Sequence, residues 1–369
     1  MKFKFPAGTK IIELKNVTVM PGLTEGHTHL LLHPYNETPR NDHVLKESHA
    51  ERIACAVNHA KATLMAGFTT VRDLGTEGAM YDEAGLKTAI EKGVIPGPRM
   101  IIATRAIVAK GSYGPASHNA DVDLIVGAEE VSGMESIAQA VRTQIGKGAD
   151  LIKVYADYRC GLNGETAPTF TVEELTSMVT IANSSGRKVV AHATTPEGMR
   201  RAIMAGISTI EHGDDGTAEI FKPMTEKGVG FCPTLAAGDA ILQYKGWKKN
   251  EQKAGGPEPK SITQKRITFQ MALDAGVAIC MGGDVGVFPH GDNAREMEMM
   301  VDYGMKPLEV LKSASSINAA FFGYANKIGS IKPELLADVI AVEGDPSIDI
   351  KSIRAIRLII KGGRIVNDE

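Results

Sequence analysis

Short continuous apolar runs alternate along this chain with longer stretches in which apolar residues recur at helical spacing. One local theme repeats: a helical pattern, a small or charged residue, Gly, then a β-branched run. It is seen in AGFTTVRD from Ala66, KGADLIKVYA from Lys147, SGRKVVAHA from Ser185, AGISTIEHG from Ala205, KGVGFCPTL from Lys227 and AGVAICMGGD from Ala275. Glycine at each join suits the position just past a helix end, where φ is positive. The runs that follow read as buried parallel strands. Amphipathic helices lie between them, most clearly from Thr195 to Gly206. Thr195 can cap that helix, Pro196 suits its first position and Gly206 ends it. Adding Val19–His27 and Arg99–Val108 gives eight strands alternating with helices. Eight is the count that closes a barrel, so the expected fold is α/β, a (β/α)8 TIM barrel spanning residues 20–325. An open doubly wound sheet is the alternative. It would carry a phosphate-binding glycine fingerprint after its first strand, and the sequence has none there.

The tail reads differently. ADVIAVEGDPSIDIKSIRAIRLIIKGGRIVNDE alternates apolar residues and holds a turn at Gly344-Asp345-Pro346 and a hairpin at Lys361-Gly362-Gly363-Arg364. Residues 326–369 are therefore expected to form an antiparallel β module beside the barrel. Residues 1–19 would supply a shortened N-terminal part of it, with Lys10–Leu14 as a further strand. Either the module is reduced or the chain has lost its start, which could have held a secretion signal. A reduced module would leave strand edges exposed, and a homo-oligomer is expected. The rhythm breaks over residues 238–270, where GWKKNEQKAGGPEPK reads either as a mobile lid or as an ordinary solvated connection.

Composition narrows the partners. Of 369 residues, 43% are hydrophobic and 23% charged, enough for a large core. The net charge of -3 comes from 41 basic and 44 acidic residues without a basic tail or stripe, so nucleic acid is excluded as an expected partner. No apolar run approaches the roughly 18 residues that span a bilayer. Residues 1–6 lack a signal-peptide apolar core, and the chain as given is expected to be cytoplasmic. Cys55, Cys160, Cys232 and Cys280 are scattered, with no C-x-x-C pair, and read as buried free thiols.

The chemistry gathers at strand ends. VMPGLTEGHTHL delivers His27 and His29 two residues apart, and such residues share one face of a strand. The fourth strand carries Lys153, the fifth His192, the sixth His212, and the eighth ends at Asp284. In a barrel those ends form one rim. Four imidazoles and a carboxylate there are metal-competent. Lys153, set among Leu151, Ile152 and Val154, is costly to bury as an ammonium and should have a depressed pKa. As a neutral amine it could take up carbon dioxide, forming an anionic two-oxygen ligand able to bridge two cations. The alternative is a direct salt bridge to Asp284.

With these residues in place, the sequence resembles the amidohydrolase superfamily. PGLTEGHTH looks like its first-strand H-x-H signature, and the order H-x-H, Lys, His, His, Asp is that of its binuclear members. The resemblance runs from Met20 to the C-terminus. It is nearest to the imidazolonepropionase-like and Xaa-Pro or Xaa-Arg dipeptidase group, with ochratoxin-type amidases close by. AGFTTVRDLG, IPGPR, VVAHATTPEGMRRAIMAGISTIEHG and FPHGDNAREM carry it. The resemblance implies two divalent metal ions, most simply zinc. His27, His29 and Asp284 would hold one and His192 and His212 the other, with N6-carboxylated Lys153 between them. It implies a metal-bridging hydroxide as nucleophile, and Asp284 as the catalytic residue that takes its proton and passes it to the leaving amine.

The sequence departs from the pattern in two places. Glu25 stands where Asp is usual two residues before the first histidine, and would act from behind the ligands. Gly111-Ser112-Tyr113-Gly114 replaces a Gly-Gly-His segment, so Tyr113 becomes the expected hydrogen-bond donor to substrate. Ser112 as a nucleophile is the weaker alternative, because Lys110 breaks the G-x-S-x-G pattern.

The expected function is hydrolysis of an amide or peptide bond in a small molecule: a dipeptide, an N-acyl amino acid or an ochratoxin-like amide. Tyr158, Arg159 and His290 are the further candidates for binding its carboxylate. A mononuclear deaminase or imidazolonepropionase-like cyclic amidase is the alternative. Deaminases of the superfamily usually carry Glu three residues after the fifth-strand histidine, where this chain has Thr195. A metal-free barrel serving as an assembly subunit is a third reading, opposed by the six filled ligand positions.

Overall fold

The computed structural model describes residues 7–116, 119, 121–248 and 258–367. Its strands are β1 (Val17–Pro21), β2 (Leu23–Thr28), β3 (Phe68–Asp73), β4 (Arg99–Ile102), β5 (Ile107–Ala109), β6 (Glu129–Val131), β7 (Ile152–Tyr155), β8 (Asp157–Tyr158), β9 (Ala167–Pro168), β10 (Val189–Ala193), β11 (Thr209–His212), β12 (Gly230–Cys232), β13 (Val339–Glu343), β14 (Ile356–Lys361) and β15 (Arg364–Asn367). The architecture is α/β with parallel strands. One parallel sheet runs β12-β11-β10-β7-β5-β6 and another β2-β3-β4. Helices follow the strands and cover their outer faces, among them His49–Met65, Asp82–Glu91, Met134–Gly146, Val172–Asn183 and Pro196–Ala205.

Local sequence accounts for these boundaries. The six glycines of the repeated theme, Gly67, Gly148, Gly186, Gly206, Gly228 and Gly276, all have positive φ. At Pro196–Ala205 the Thr195 hydroxyl accepts from Gly198 N, proline occupies the first turn and Gly206 is left-handed. Val172–Asn183 opens with a capping box between Thr171 and Glu174, which satisfies two backbone donors reciprocally.

Three expected strands differ from the observed ones. Val19–His27 is divided at Gly22 between two sheets. A Cβ on Gly22 would lie 2.2 Å from the Thr69 hydroxyl oxygen, so only glycine permits the close crossing. Arg99–Val108 is divided into β4 and β5. Between them Thr104 has φ +64° and gives its N–H to the Glu83 carboxylate, so the backbone leaves its ladder. The run AGVAICMGGD makes one isolated parallel bridge, Phe231↔Ile279, and Val285 just after it makes another with Thr28. Its remaining bonds go sideways: Gly26 N donates to Met281 O at 3.0 Å and Gly283 N to Glu25 Oε1 at 2.8 Å. On the other flank, Asp150 N donates to Ile102 O at 2.8 Å, setting the end of β4 beside the start of β7.

The tail forms a four-stranded antiparallel sheet in the order β1-β13-β14-β15. Its hairpin turns at Gly362 and Gly363, with Lys361 opposite Arg364. Lys10–Leu14 is not a strand; Asn16, at φ +56°, turns the chain just before β1. Residues 238–270, read as either a lid or a solvated connection, are helical where they overlap Leu235–Tyr244 and Lys260–Asp274, while residues 249–257 lie outside the described part. Cys232 and Cys280 are buried, but Cys55 is half-buried and Cys160 exposed, contrary to expectation; all four are free. Cys160 follows the short β8, where the chain runs out over the surface. Among the described residues, no helix is long and apolar enough to cross a membrane.

Candidate metal centre

A cavity of about 650 Å³ opens at the C-terminal ends of the parallel strands, lined by His27, His29, His192, His212 and Asp284. The structure brings these five and Lys153 together. His27 and His29 both turn Nε2 toward Asp284 Oδ1, at 3.5 and 3.2 Å. The His27 and His212 rings lie 5.1 Å apart, and those of His192 and His212 4.5 Å. His27, His212 and Asp284 each offer a ligand atom within 4.8 Å of the others.

Backbone geometry explains the convergence. In parallel pairing, directly opposed residues share a face. Lys153 opposes Val190 and Tyr155 opposes His192, while His192 opposes Glu211, so these side chains point the same way. His212 opposes Ala193 and would face outward by that rule. Its φ of +72° swings it into the cavity. Asp284 at +62° and Thr234 at +49° are turned in the same left-handed region. With Glu77 at +47°, four non-glycine residues in that region line one cavity, which is backbone strain concentrated at a site.

Three of the four rings are held through Nδ1. His27 Nδ1 donates to Glu211 Oε2 at 2.9 Å and His29 Nδ1 to Gly75 O at 2.8 Å. This leaves each Nε2 directed into the cavity. His212 Nδ1 bonds the Thr234 hydroxyl at 2.8 Å. His192 Nδ1 is buried without a hydrogen-bond partner among the described residues. A buried, unpaired ring nitrogen is costly unless something absent from the protein atoms takes its lone pair. The donor set, the oriented nitrogens and this orphaned atom fit divalent metal ions.

Charges in the site are arranged around Lys153. Burial lowers its pKa to about 8, against the pull of Glu211 and Asp284. No ion pair joins it to Asp284 among the described residues, so the direct salt bridge is not formed. Burial would raise Asp284, but His27, His29 and Lys153 hold it down at about 2. Burial would lower His29, yet its bond to Asp284 and the charges of Asp284, Asp73 and Glu77 bring it to about 9. With the protein groups alone, a proton joins His29 to Asp284.

Several residues that shape the site were not singled out from sequence. Glu211 holds His27 and pairs with Arg72 Nη2 at 2.9 Å, both buried. The signal was available, since Glu in TIEHG and Arg in TTVRD are charges inside apolar strands, the feature that drew attention to Lys153. Glu77 accepts from Arg40 and from the Tyr113 hydroxyl at 2.9 Å each; its loop position gave no such signal. Asp157 accepts from Thr194 N and Thr195 N at 3.0 and 2.7 Å. Glu25, unlike these, was expected from the sequence; it accepts from His27 N, Gly283 N and Asn293 Nδ2, and burial pushes it up to about 7. Like Glu211, it stands behind the ligands.

The expected substrate residues separate. Tyr113, Tyr158 and Arg159 line the cavity, together with Tyr35, Arg40 and Lys265. The Tyr113 hydroxyl donates to the Glu77 carboxylate and is not a free donor. His290 is not brought to the cavity. It stacks on His59 at 4.2 Å, with Nε2 donating to Leu32 O at 3.1 Å.

A parallel α/β core with such a cavity at its strand ends is matched by one family description. The amidohydrolase family matches residues 18–366, and the chain belongs to it and is a hydrolase of that family. Among particular proteins, ochratoxinase of Aspergillus niger is 30% identical over 94% of this chain and 75% of its own length. Its crystal structure covers 95% of this chain and 83% of its own at 28% identity, with a TM-score of 0.79. A Xaa-Pro dipeptidase with methionine bound in its active site is 31% identical, with a TM-score of 0.84 over 99% of this chain and 91% of the other. A prolidase complexed with N-methylphosphonate-L-proline reaches a TM-score of 0.83 at 26% identity, over 100% of this chain and 91% of its own.

Proposed function

We propose that this chain is a binuclear metal-dependent amidohydrolase that cleaves the amide or peptide bond of a small carboxylate-bearing substrate, a dipeptide or an N-acyl amino acid. The observation that carries the reading is the convergence of His27, His29, His192, His212 and Asp284 on one cavity, with Nδ1 of His192 buried and without a hydrogen-bond partner among the described residues. In this reading the strands act as a (β/α)8 barrel over residues 20–325, with residues 1–19 and 326–369 forming the β module. The bonds from β4 to β7 and the bridges on both sides of 279–285 support it.

His27, His29 and Asp284 would hold one ion and His192 and His212 the other, with Lys153 carboxylated between them. When bound, such ions supply an activated water at neutral pH and polarise the scissile carbonyl. The protein's own part is orientation and proton transfer. Glu211, Gly75 O and Thr234 fix the imidazoles, each by one hydrogen bond. Asp284, ionised and facing both histidines, takes a proton from the nucleophile and returns it to the leaving amine. The buried Lys153 amine is neutral in an appreciable fraction near pH 8, as carbamate formation requires.

For the substrate, Tyr158 and Arg159, which line the cavity, would meet a carboxylate, and Tyr35, Tyr113 and Tyr155 would give an aromatic wall. The names of the ochratoxinase and dipeptidase relatives point to the same chemical class. Thr195 is committed to Asp157 and to capping its helix, which leaves no acid for the deaminase reading.

The test is metal content per chain with and without bicarbonate, alongside a hydrolysis screen of dipeptides and N-acyl amino acids. The expected result is about two bicarbonate-dependent equivalents, lost together with turnover in Lys153→Ala. A Lys153→Ala chain that kept its metals and full rate would sink the bridging role. A single bicarbonate-insensitive equivalent that Asp284→Asn removes would move the chain to the mononuclear reading.

A further inference from the structure

A second cluster of ligating side chains lies outside the catalytic cavity. β2 is joined to the helix His49–Met65 by residues 29–48, which hold a single short helix, Arg40–Leu45. Three side chains of this connection meet. His33 Nε2 lies 3.2 Å and His43 Nδ1 3.1 Å from the same oxygen, Glu47 Oε2. The His33 and His43 rings stack at 4.8 Å. One ligand atom from each residue falls within 4.8 Å of the other two. None of the three lines the catalytic cavity.

We propose that His33, His43 and Glu47 form a site for a borderline divalent ion, zinc in the first instance, that closes this connection. Four-coordinate zinc with bonds of roughly 2.0–2.1 Å places its ligand atoms about 3.3 Å apart. The two nitrogen-to-carboxylate distances match that edge. The site is sheltered: the His43 side chain is wholly buried, and His33 and Glu47 retain 12% and 11% exposure. Water completes the coordination from that open side.

The carboxylate also lacks another cation. Among the described residues, Glu47 pairs with no Lys or Arg. The nearby Arg52 spends its guanidinium on Leu31 O, Thr76 O and Glu77 O. A largely buried carboxylate is stabilised by positive charge beside it, and a divalent ion supplies more of it than one protonated imidazole. Two imidazoles and one carboxylate select zinc, cobalt or nickel over calcium or magnesium.

The fold shows what such an ion would secure. Leu30, Leu31 and Leu32 are already pinned through their carbonyls by His59, Arg52 and His290. Beyond them the connection carries Tyr35 and Arg40 into the catalytic cavity. Arg40 opens the same short helix that bears His43, pairs with Glu77 at 2.9 Å and covers the Tyr113 ring at 4.3 Å. Tying residue 33 to residues 43 and 47 closes the loop that presents Arg40, and a closed loop has less entropy to lose on ordering.

The test is the zinc content of the full chain, dialysed against dilute zinc, for the wild type, Glu47→Gln, His33→Asn and Asp284→Asn. Glu47→Gln and His33→Asn each change a partly exposed residue, and circular dichroism checks that both remain folded. Each is expected to hold about one equivalent less than the wild type. Asp284→Asn is expected to lose only metal from the catalytic cavity and to keep this equivalent. Unchanged zinc content in both Glu47→Gln and His33→Asn would overturn the site. So would an Asp284→Asn chain free of zinc. A wild type holding a single equivalent that Glu47→Gln abolishes would uphold this site while defeating the catalytic-centre reading.

Discussion

At the scale of single residues, the candidate ligands depend on groups that touch them from outside the cavity. Glu211 fixes the tautomer of His27 by accepting from Nδ1, and it balances Arg72 in the buried interior. Replacing it by Gln keeps the shape and removes the charge. Glu211→Gln is therefore expected to bind metal about 10- to 100-fold more weakly, as measured by titration against a chelator of known affinity. It also leaves Arg72 a buried cation without its counter-ion, so urea unfolding should show a loss on the order of 3 kcal/mol. A variant with wild-type metal affinity would show that His27 needs no such support. Five of the six candidate ligands were legible as polar side chains at the ends of apolar runs, and Lys153 as a charge inside one. Glu211 and Arg72 carry the same signal from inside their strands. Glu77 does not, because nothing in a loop sequence says which side chains will meet across a cavity. His290 was drawn in by a local likeness in FPHGDNAREM, and packing placed it against His59 instead.

At the scale of elements, the helix–glycine–strand theme was readable because it is local: a left-handed residue must end each helix, and only glycine adopts it without cost. The strands that were misjudged are those shaped by distant contacts. Gly22 divides one because Thr69 presses on it, and Thr104 divides another because Glu83 draws its N–H away. The segment ending in Asp284 is the clearest case. A Cβ on Gly282 would come within 2.6 Å of Cys232 Sγ, 2.7 Å of His27 N and 2.9 Å of Gly26 C. Two of these three atoms belong to backbone and cannot swing aside. Gly282→Ala is expected to push this segment off β2, lowering stability by about 1–3 kcal/mol and displacing Asp284 from His27 and His29. Thermal unfolding and metal content should fall together. A stable, metal-replete Gly282→Ala chain would show that the close approach is not required.

At the scale of the whole molecule, the site depends on segments far apart in sequence being locked together. Glu296, on the helix Ala294–Asp302, is buried and accepts from Leu235 N and Ala236 N at 3.0 and 2.7 Å. It thereby holds the first turn of the helix that follows Thr234. Burial pushes its carboxyl up to about 8, although the two N–H groups pull the other way. The folded chain thus binds this proton more tightly than the unfolded chain, in which glutamate titrates near 4.5. The resulting stability is complete below that value and is lost as pH rises through about 8. In urea titrations with chelator present, the advantage of wild type over Glu296→Gln should shrink steadily between about pH 5 and about pH 8. A difference independent of pH would show that Glu296 is ionised in the fold throughout that range.

The sequence by itself determined the alternation of strand and helix, the glycine joins, the β-rich tail and the residues on which metal chemistry would rest. These follow from periodicity and from conformational preferences that act within a few residues. The tertiary structure decided where strands break, which polar groups stand behind the ligands, and how His212, Thr234 and Asp284 come to be held in left-handed backbone. That geometry costs free energy at each residue, and only contacts made across the completed fold can offset it. The same holds for the meeting of His33, His43 and Glu47. Each is unremarkable in sequence, and the folded connection sets both imidazoles against one carboxylate oxygen.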